Sequence, residues 1–361
     1  MRSLLKTIMA VLLTLAAVLV IILIYGHITE YTPEDKTIIF KREVQASMND
    51  TSTISIMTWN LGYAGLDKEM DFFYDGGTQV RTTREQTIKN LNAILEKIVQ
   101  NESLDFFLFQ EVDKAARRSY FIDMRDSISS ALPKMYLSFA KNYHARFVPL
   151  PWHAPMGRVT SGILTAGQHT PASALRMSYP GSYPWPGRLF NLKRCLLLSR
   201  YPLNNGKELV LINTHNSAFD DGSLRKQQMD FLKELMLAEY ASGNYVVAGG
   251  DFNQCPPGFE PDFFFNVFDD DDFLMISKDF LPNWHFVYDP TVPTNRRVIA
   301  PYDPATTKTT LIDFFIASPN VMPIKVQGIH LDFEHSDHNP VIATFKLLGP
   351  HSMPPDRYIS R

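Results

Sequence analysis

Polar residues that can bind a metal ion or transfer a proton follow one apolar segment after another along the sequence. Loops at the ends of strands on a rigid sheet are where catalytic and binding sites are usually built. Each of these residues has an ordinary explanation by itself, since an Asn can turn the chain and a His can be a satisfied buried side chain. One shared site explains all of them together. The residues are Asn60, Glu111, His215, Asp251, Asn253 and His338.

The chemistry of these residues favours hydrolysis of a phosphate ester. Such a reaction needs a hard divalent cation, an activated water molecule and groups that stabilise charge on the phosphoryl oxygens. Carboxylate and amide oxygens are ligands that Mg²⁺ prefers, and Glu111 and Asn60 supply one of each. The two cysteines, Cys195 and Cys255, are too few for a cysteine zinc site or a disulfide framework.

The elements that position these residues follow from the apolar pattern. Helical spacing predicts an amphipathic helix over 83–100, with Thr82 and Glu85 as its capping box, and a second helix over 223–241 capped by Ser223. Apolar strands alternate with these helices, which predicts an α/β sandwich of two sheets with helices outside and the site at one edge. Strands are predicted over 54–59, 105–109, 192–198, 209–213, 245–249, 311–317 and 340–347.

The N-terminal segment is typical of a membrane anchor. The uncharged apolar run 7–26 is about as long as the ~20 residues that cross a bilayer. Arg2 and Lys6 precede the run and Glu30 follows it, so the positive-inside rule places the rest of the chain outside the cytoplasm. Secretion after signal cleavage is the alternative, although no clear small-x-small cleavage site precedes Tyr25.

The composition is that of a folded protein rather than a disordered or fibrous one. Of 361 residues, 45% are hydrophobic and 20% are charged, which is ample for a large core. The formal net charge is −3, and Lys and Arg never occur more than two in a row. A non-specific nucleic-acid binder usually presents a basic stripe, so the sequence disfavours a nuclease without excluding a locally basic groove.

The polar residues lie within short motifs whose order and spacing are informative. The motifs are TWN at 58–60, FQEV at 109–112, NTH at 213–215, GDFN at 250–253, IDF at 312–314 and SDHNPV at 336–341. Together they resemble the endonuclease/exonuclease/phosphatase superfamily, which includes deoxyribonucleases, apurinic endonucleases, neutral sphingomyelinases and inositol polyphosphate phosphatases. The resemblance implies a deoxyribonuclease-like, four-layered α/β sandwich and metal-dependent phosphoester hydrolysis.

The resemblance also implies a role for the residues that face the metal and the water. Asn60 and Glu111 are expected to hold Mg²⁺, or Mn²⁺ or Ca²⁺ in its place, and Asp337 completes that site or serves a second ion. Asp251 is expected to orient or deprotonate the attacking water, while Asn253 holds a phosphoryl oxygen.

Two histidines complete the implied catalytic set. His338 is expected to sit over the scissile phosphate and to pair with Asp313, which fixes its tautomer and raises its basicity. A protonated His338 would stabilise the developing charge and a neutral one would act as a base, and the sequence leaves both open. His215 is expected to contact a phosphate oxygen or to assist the leaving group.

Two features depart from the pattern of the superfamily. Gly62 stands where apurinic endonucleases usually carry a polar residue near the metal, which disfavours the DNA-repair branch. The segment 141–190 is rich in Pro, Gly, Trp and Tyr and is predicted to be irregular. It is either a packed surface loop or a wall that faces the substrate or the membrane, with Tyr143, Trp152 and Trp185 as candidate substrate-binding residues.

These observations predict an organisation and a function. We expect a metal-dependent phosphodiesterase held outside the cytoplasmic membrane by its N-terminal helix, with no protein partner. The anchor favours a phospholipid head group over nucleic acid as substrate, and a surface or secreted nuclease is the alternative. A non-catalytic binding protein on the same fold is a further alternative, which the intact Asp-x-Asn and Asp-His pairs disfavour. The predicted divisions are an anchor or signal at 1–28, a stem at 29–52, the catalytic domain at 53–349 and a polar tail at 350–361.

Overall fold

The computed structural model contains two large β-sheets, a short two-stranded sheet and the helices that flank them. It describes residues 1–46, 48–218, 220, 222–260 and 274–349, so the predicted tail at 350–361 lies outside the described residues. The α-helices among them are α1 (Arg2–Ile28), α2 (Arg84–Gln100), α3 (Met124–Ala131) and α4 (Ser223–Ala241). The strands are β1 (Lys36–Lys41), β2 (Thr53–Asn60), β3 (Phe106–Asp113), β4 (Tyr136–Val148), β5 (Gly157–Gly167), β6 (Ser173–Ser178), β7 (Cys195–Pro202), β8 (Glu208–His215), β9 (Tyr245–Asp251), β10 (His285–Val287), β11 (Asn295–Arg296), β12 (Thr309–Thr310), β13 (Asp313–Ala317), β14 (Val321–Gly328) and β15 (Val341–Leu347).

The two large sheets pack face to face between layers of helix. The seven-stranded sheet has the order β1-β6-β7-β8-β9-β13-β10, and the six-stranded sheet has the order β14-β15-β2-β3-β5-β4. Side chains such as Phe106, Phe315 and Phe345 are fully buried between them, and each contributes roughly 1.5–3 kcal/mol by leaving water. α4 packs on the outer face of the larger sheet, and α2 and α3 pack on the smaller. The predicted four-layered α/β sandwich is therefore confirmed.

The helices α2 and α4 lie where they are predicted, but residues other than the predicted ones cap their N-termini. The capping box predicted to start at Thr82 is wrong by one residue, because the Thr83 hydroxyl accepts the hydrogen bond from the N–H three residues later. Ser223 is the first helical residue of α4 rather than its cap. The carboxylate of Asp220 accepts the hydrogen bond of Leu224 N at 2.9 Å instead.

The segment 141–190, predicted to be irregular, contains most of three strands. β4 and β5 form a long antiparallel pair at the edge of the six-stranded sheet, and β6 pairs with β7 in the other sheet. The prediction is wrong because Pro, Gly and Trp in the connections dominate the composition of the segment and obscure the strands between them. Trp152 and Trp185 both lie in those connections.

α1 is long and apolar enough to cross a membrane, and its C-terminal end packs on the domain. Gly26 is its one buried residue, and a Cβ added there would lie 2.8 Å from the ring of Phe190. Two residues beyond the helix, the Glu30 carboxylate lies 2.7 Å from Lys193 Nζ. The end of α1 is therefore fixed against the segment that precedes β7.

Part of the predicted stem, 29–52, belongs to the sandwich. β1 pairs antiparallel with β6 and forms an edge of the seven-stranded sheet. Met48 is 4% exposed and belongs to the core between the sheets. This part of the chain is therefore packed on the domain and is not a free tether between α1 and β2.

Strand direction brings the polar strand ends together. β2 and β3 are parallel, and so are β8 and β9, so their C-terminal ends lie at the same edge of each sheet. β13 and β15 run antiparallel to β9 and β2, so their first residues lie at that edge as well. The last residues of β2, β3, β8 and β9 and the first residues of β13 and β15 therefore lie at the same edge of the sandwich.

Candidate active site

The predicted residues from both sheets meet at one edge of the sandwich. Asp313, the first residue of β13, pairs with Asp251 at the end of β9, which pairs in turn with His215 at the end of β8. From the other sheet, Asn60 ends β2, and its Nδ2 donates to Asp251 Oδ2 at 3.0 Å. This hydrogen bond joins the two sheets within the site.

His338 and Asp313 form a buried pair. His338 Nδ1 lies 2.7 Å from Asp313 Oδ2, and His338 Nε2 lies 2.9 Å from the side-chain amide of Asn295. Burial alone would lower the pKa of His338, but three nearby carboxylates, of which Asp313 acts most strongly, raise it to about 10. The three carboxylates therefore favour a charged imidazolium whose Nδ1–H donates to Asp313. A proton on Nε2 also requires the Asn295 amide to turn so that its oxygen accepts, because the amide nitrogen can only donate.

Asp251 is held by donors on both of its oxygens. Asn253 N donates to Oδ1 at 2.9 Å, Asn60 donates to Oδ2, and His215 Nε2 lies 3.4 Å from Oδ2. Burial and then the negative charge of Asp313 raise the pKa of Asp251. A carboxylate with a raised pKa is a stronger base, which suits a group that accepts a proton from water.

His215 is the neutral histidine of the site. Burial, and then the positive charges of Arg194 and His338, hold its pKa well below the usual value. Its Nε2 lies 3.4 Å from Asp251 Oδ2 and 3.9 Å from Glu111 Oε1. Its Nδ1 has no hydrogen-bond partner among the described residues. A neutral imidazole of this kind can donate one hydrogen bond and accept another.

The predicted metal ligands supply hard oxygen donors. Asn60 Oδ1 accepts a hydrogen bond from Gly62 N at 3.1 Å and keeps a second lone pair. Burial raises the pKa of Asp337 to about 7, and the negative charge of Glu111 adds to the rise. The Glu111 side chain is 23% exposed, which leaves space for water. An amide oxygen and two carboxylates fit a divalent ion such as Mg²⁺.

A second group of possible ligands lies beside this one. Donor atoms of Asp251, Asp313 and His338 all lie within 4.8 Å of one another. Because Asp313 Oδ2 and His338 Nδ1 already share a hydrogen bond, this group is better suited to moving and holding protons than to binding metal.

Unusual backbone conformations mark the site. Glu111 and Asn253 have φ values of 53° and 51°, which cost non-glycine residues roughly 1 kcal/mol or more. Glu111 lies in an irregularity of the β3–β5 pairing, which turns its side chain out of the strand pattern. Gly62 has φ +48°, and a Cβ there would lie 2.7 Å from Asp337 Oδ1. Gly62, which replaces the polar residue usual in apurinic endonucleases, therefore makes room for the carboxylate of Asp337, a predicted metal ligand.

Two buried ion pairs near the site were not predicted. Arg118 makes a bidentate pair with Asp113, at 3.1 and 2.9 Å. Arg225 Nε lies 2.6 Å from Asp220 Oδ1, and its Nη1 donates to Asn253 O at 3.1 Å. Each Arg follows its Asp by five residues, a spacing that matches neither a helix face nor a strand face. No sequence pattern therefore signals either pair.

Both cysteines are buried and free. Burial raises the pKa of each thiol, Cys195 and Cys255, to about 11. A thiol with a raised pKa is a poor nucleophile. Neither residue is therefore activated for covalent catalysis.

The site opens into a cavity of about 380 Å³. Tyr143 lines it and is 3% exposed, with its hydroxyl donating to Phe190 O at 2.8 Å. Trp152 and Trp185 are 83% and 60% exposed and are absent from its described lining. One of the three predicted substrate-binding aromatic residues therefore lies at the cavity. Its lining also contains Arg118, Arg194, Arg225, Arg296 and Arg297.

The sequence matches a known family model. The model described as "Endonuclease/Exonuclease/phosphatase family" matches residues 57–338, a span that contains every predicted metal-binding and catalytic residue. No curated protein sequence matches the chain.

Solved structures share the fold at low sequence identity. An endonuclease/exonuclease/phosphatase from Beutenbergia cavernae is 17% identical, with a TM-score of 0.56 over 82% of this chain and 72% of that one. ANGEL2, a 2′,3′-cyclic phosphatase solved with adenosine-2′,3′-vanadate, is 15% identical, with a TM-score of 0.54 over 85% and 99%. D. rerio TDP2 complexed with a single-strand DNA product is 13% identical, with a TM-score of 0.52 over 81% and 99%.

Proposed function

The chain belongs to the endonuclease/exonuclease/phosphatase family, whose members are phosphoesterases and nucleases, and from that premise we propose that it hydrolyses a phosphodiester at a membrane surface with a divalent metal ion. The convergence of the His338–Asp313 pair, Asp251 and the oxygen donors on one cavity carries the proposal. A non-catalytic binding protein would have no need of a complete set of this kind.

The metal ion would be held by Asn60, Glu111 and Asp337. Their oxygens form a hard donor set, and burial, with a smaller contribution from the charge of Glu111, raises the pKa of Asp337, which a bound cation would oppose. Members of this family typically depend on a divalent metal. When bound, Mg²⁺, or Mn²⁺ or Ca²⁺ in its place, polarises a phosphoryl oxygen and offsets its charge.

Asp251 and Asn253 act on the water and the phosphoryl group. Asp251 accepts a proton from the attacking water, which adds to phosphorus in line with the leaving oxygen. Asn253 Nδ2 donates one hydrogen to Asn216 O at 3.1 Å, and its second hydrogen is available for a phosphoryl oxygen. The hydrogen bond from Asn253 N to Asp251 keeps the two side chains in a fixed relationship.

The two histidines stabilise charge in different ways. A charged His338, with Nδ1 held by Asp313, presents a positive group to the negative charge that develops on the phosphoryl oxygens. A neutral His215 contacts a phosphate oxygen or the leaving group, and its position near Asp251 and Glu111 supports either role. The raised pKa of His338 supports charge stabilisation as its role, and a general-base role for a neutral His338 is the alternative.

A lipid phosphodiester is the favoured substrate because α1 meets the domain beside the cavity. Gly26 of α1 packs on Phe190, and the next residue, Asn191, lines the cavity. If α1 spans the membrane, the cavity opens close to the bilayer surface. Trp152 and Trp185 are exposed in connections of the same region, and Trp is favoured at the membrane interface.

The charge asymmetry around α1 supports an external catalytic domain. Arg2 and Lys6 lie at the N-terminal end of α1, and Glu30 follows its C-terminal end. We therefore place the N-terminus in the cytoplasm and the catalytic domain outside it. Release by signal cleavage is the alternative.

A nuclease is the second candidate, and the arginines of the cavity favour it. Much of their charge is already matched, because Arg118 pairs with Asp113 and Arg225 pairs with Asp220. The cavity lining also contains Arg194, Arg296 and Arg297, and the sequence has no run of more than two basic residues. This arrangement suits a short anionic substrate better than a long polymer.

A hydrolysis panel tests the proposal. Full-length protein in vesicles is offered sphingomyelin, phosphoinositides, plasmid DNA and bis(p-nitrophenyl) phosphate, each with Mg²⁺, Mn²⁺ or Ca²⁺. Metal-dependent turnover that disappears in Asp251→Asn is expected, with lipid cleaved best. Cleavage of plasmid without lipid turnover would assign a nuclease. No turnover of any substrate would overturn the proposed activity.

A further inference from the structure

Four side chains in the cavity lining carry buried polar atoms that lack partners. The atoms are Nε and Nη1 of Arg194, Nδ2 of Asn142, Oγ of Ser161 and the hydroxyl of Tyr63, none of which has a hydrogen-bond partner among the described residues. Asn142 and Ser161 are each 2% exposed, and Tyr63 is 1% exposed. Buried polar atoms are nearly always paired in folded proteins, so this group points to a ligand.

The group borders the reaction centre without being part of it. Ser161 on β5 pairs with Asp113 on β3, two residues beyond Glu111. Asn142 on β4 accepts a hydrogen bond on its backbone oxygen from the residue before Arg194, at 2.7 Å. The positive charge of Arg194 reaches His215, where it opposes protonation. A substrate whose scissile phosphate lies at His215 can therefore extend another group toward Arg194.

The chemistry of the group selects an anion. It offers the cation of Arg194 and the amide N–H of Asn142, together with the two hydroxyls as further donors. The nearby carboxylates do not neutralise Arg194, because Asp113 is held by Arg118 and Asp220 by Arg225. A phosphate presents several acceptor oxygens and a negative charge, which match these donors.

Building on the proposed function, we propose that Arg194, Asn142, Ser161 and Tyr63 form a second anion-binding subsite that takes a further phosphate group of the substrate. The enzyme then selects phosphodiesters that carry a second, non-reacting phosphate. A zwitterionic choline head group would place its cation against Arg194 and is disfavoured.

Two chromogenic substrates that differ by one phosphate test the subsite. Thymidine 5′-(p-nitrophenyl phosphate) and its 3′-phosphorylated form are compared with full-length protein in detergent and Mg²⁺. The KM of the 3′-phosphorylated form is expected to be lower by about tenfold or more, the scale of a charge-assisted contact. Arg194→Gln should bring the two KM values together, so that their ratio approaches one.

Matched variants separate the subsite from general effects of charge. Arg146→Gln removes the same charge from an exposed position on β4 outside the cavity lining, and it should keep the preference. Asn142→Asp is nearly isosteric and places a negative charge in the subsite, so it should abolish the preference even if Arg194→Gln folds poorly.

The outcomes distinguish this inference from the proposed function. Absence of turnover on both esters and on every substrate of the hydrolysis panel would contradict the hydrolase itself. Turnover with equal KM values in the wild type, or equal losses on both esters in Arg194→Gln, would overturn the subsite alone.

Vesicles distinguish the two sources of a second phosphate. Phosphatidylinositol and phosphatidylinositol 4-phosphate are offered in phosphatidylcholine vesicles. Preference for the phosphorylated lipid would assign the subsite to a lipid head group. A preference confined to the nucleotide esters would assign it to a soluble bisphosphate, and both results support the subsite.

Discussion

Asp313 Oδ2 lies 2.7 Å from His338 Nδ1, although the two residues are 25 positions apart and His338 lies in a connection outside the large sheets. Asp313 opens β13 of the seven-stranded sheet, while His338 precedes β15 of the six-stranded sheet. The pair therefore bridges the sandwich at the site. Because the carboxylate accepts the Nδ1 proton, it fixes the orientation of the ring, and Nε2 then lies 2.9 Å from the side-chain amide of Asn295.

The first prediction concerns this pair. His338→Ala should lower kcat by at least ~10²-fold, the usual scale for a lost acid/base or electrostatic group. Asp313→Asn should act through His338 by disturbing its orientation and charge. The double variant should then be little worse than His338→Ala alone, which a double-mutant cycle of kcat values measures. Losses that multiply would refute the pairing.

A second prediction concerns the metal ligands. Glu111→Gln keeps the size of the side chain but removes its negative charge, so the Mg²⁺ concentration for half-maximal activity should rise by about tenfold or more. Titration of activity with Mg²⁺ after removal of metal by chelator measures the shift. Glu96→Gln on the exposed face of α2 is the matched control and should leave the titration unchanged. Full turnover of Glu111→Gln at limiting metal would rule out the ligand assignment.

The convergence of these polar residues could be predicted because strand ends are visible in the apolar pattern. Apolar runs located β2, β8 and β9 to within a few residues, and strand direction then dictates that their polar ends meet. The bulge that aims Glu111 is not visible, because it depends on the pairing of β3 with β5. Arg194 and Asn142 were not identified, since they lie at different sheets and meet only where the residue before Arg194 donates a backbone hydrogen bond to Asn142 O.

The packing of α1 on the domain also could not be predicted from the sequence. An apolar run predicts a membrane-spanning helix, but contact between Gly26 and Phe190 depends on the path of the chain between them. The segment after α1 is polar in composition and resembles a tether, yet β1 pairs with β6 there. Whether such a segment forms a strand depends on a pairing partner far along the chain, which the local sequence pattern does not reveal.

A third prediction links pH to stability and metal affinity. The pKa of Asp337 is about 7 in the folded protein against an ordinary value of 3.8, so the folded state binds more protons between these values. Its contribution to stability is therefore fully present below about pH 3.8 and is lost as pH rises through about 7. The raised pKa of His338, about 10 against 6.5, extends the loss toward alkaline pH.

Thermal unfolding measures this effect. In chelator, Tm should fall as pH is raised from about 5 to 9. Because metal must displace the proton of Asp337, the Kd for Mg²⁺ should decrease by up to about tenfold per pH unit below pH 7 and then level off. Asp337→Asn cannot titrate and should flatten the Tm profile. A wild-type Tm profile between pH 5 and 7 that is identical to that of Asp337→Asn would contradict the assignment.

The last prediction joins the exposed tryptophans to the membrane. Trp152 and Trp185 are 83% and 60% exposed, and burial of an indole at a bilayer surface is favourable by roughly 1.5–3 kcal/mol. In full-length protein reconstituted into vesicles, the Trp152→Ala/Trp185→Ala variant should cleave lipid roughly tenfold more slowly while it cleaves a soluble aryl phosphodiester at the wild-type rate. Ile324→Ala is the matched control, because Ile324 is 57% exposed on β14 at the opposite edge of the six-stranded sheet from β4. Equal losses on the lipid and the soluble ester would remove the membrane-facing role of the two tryptophans.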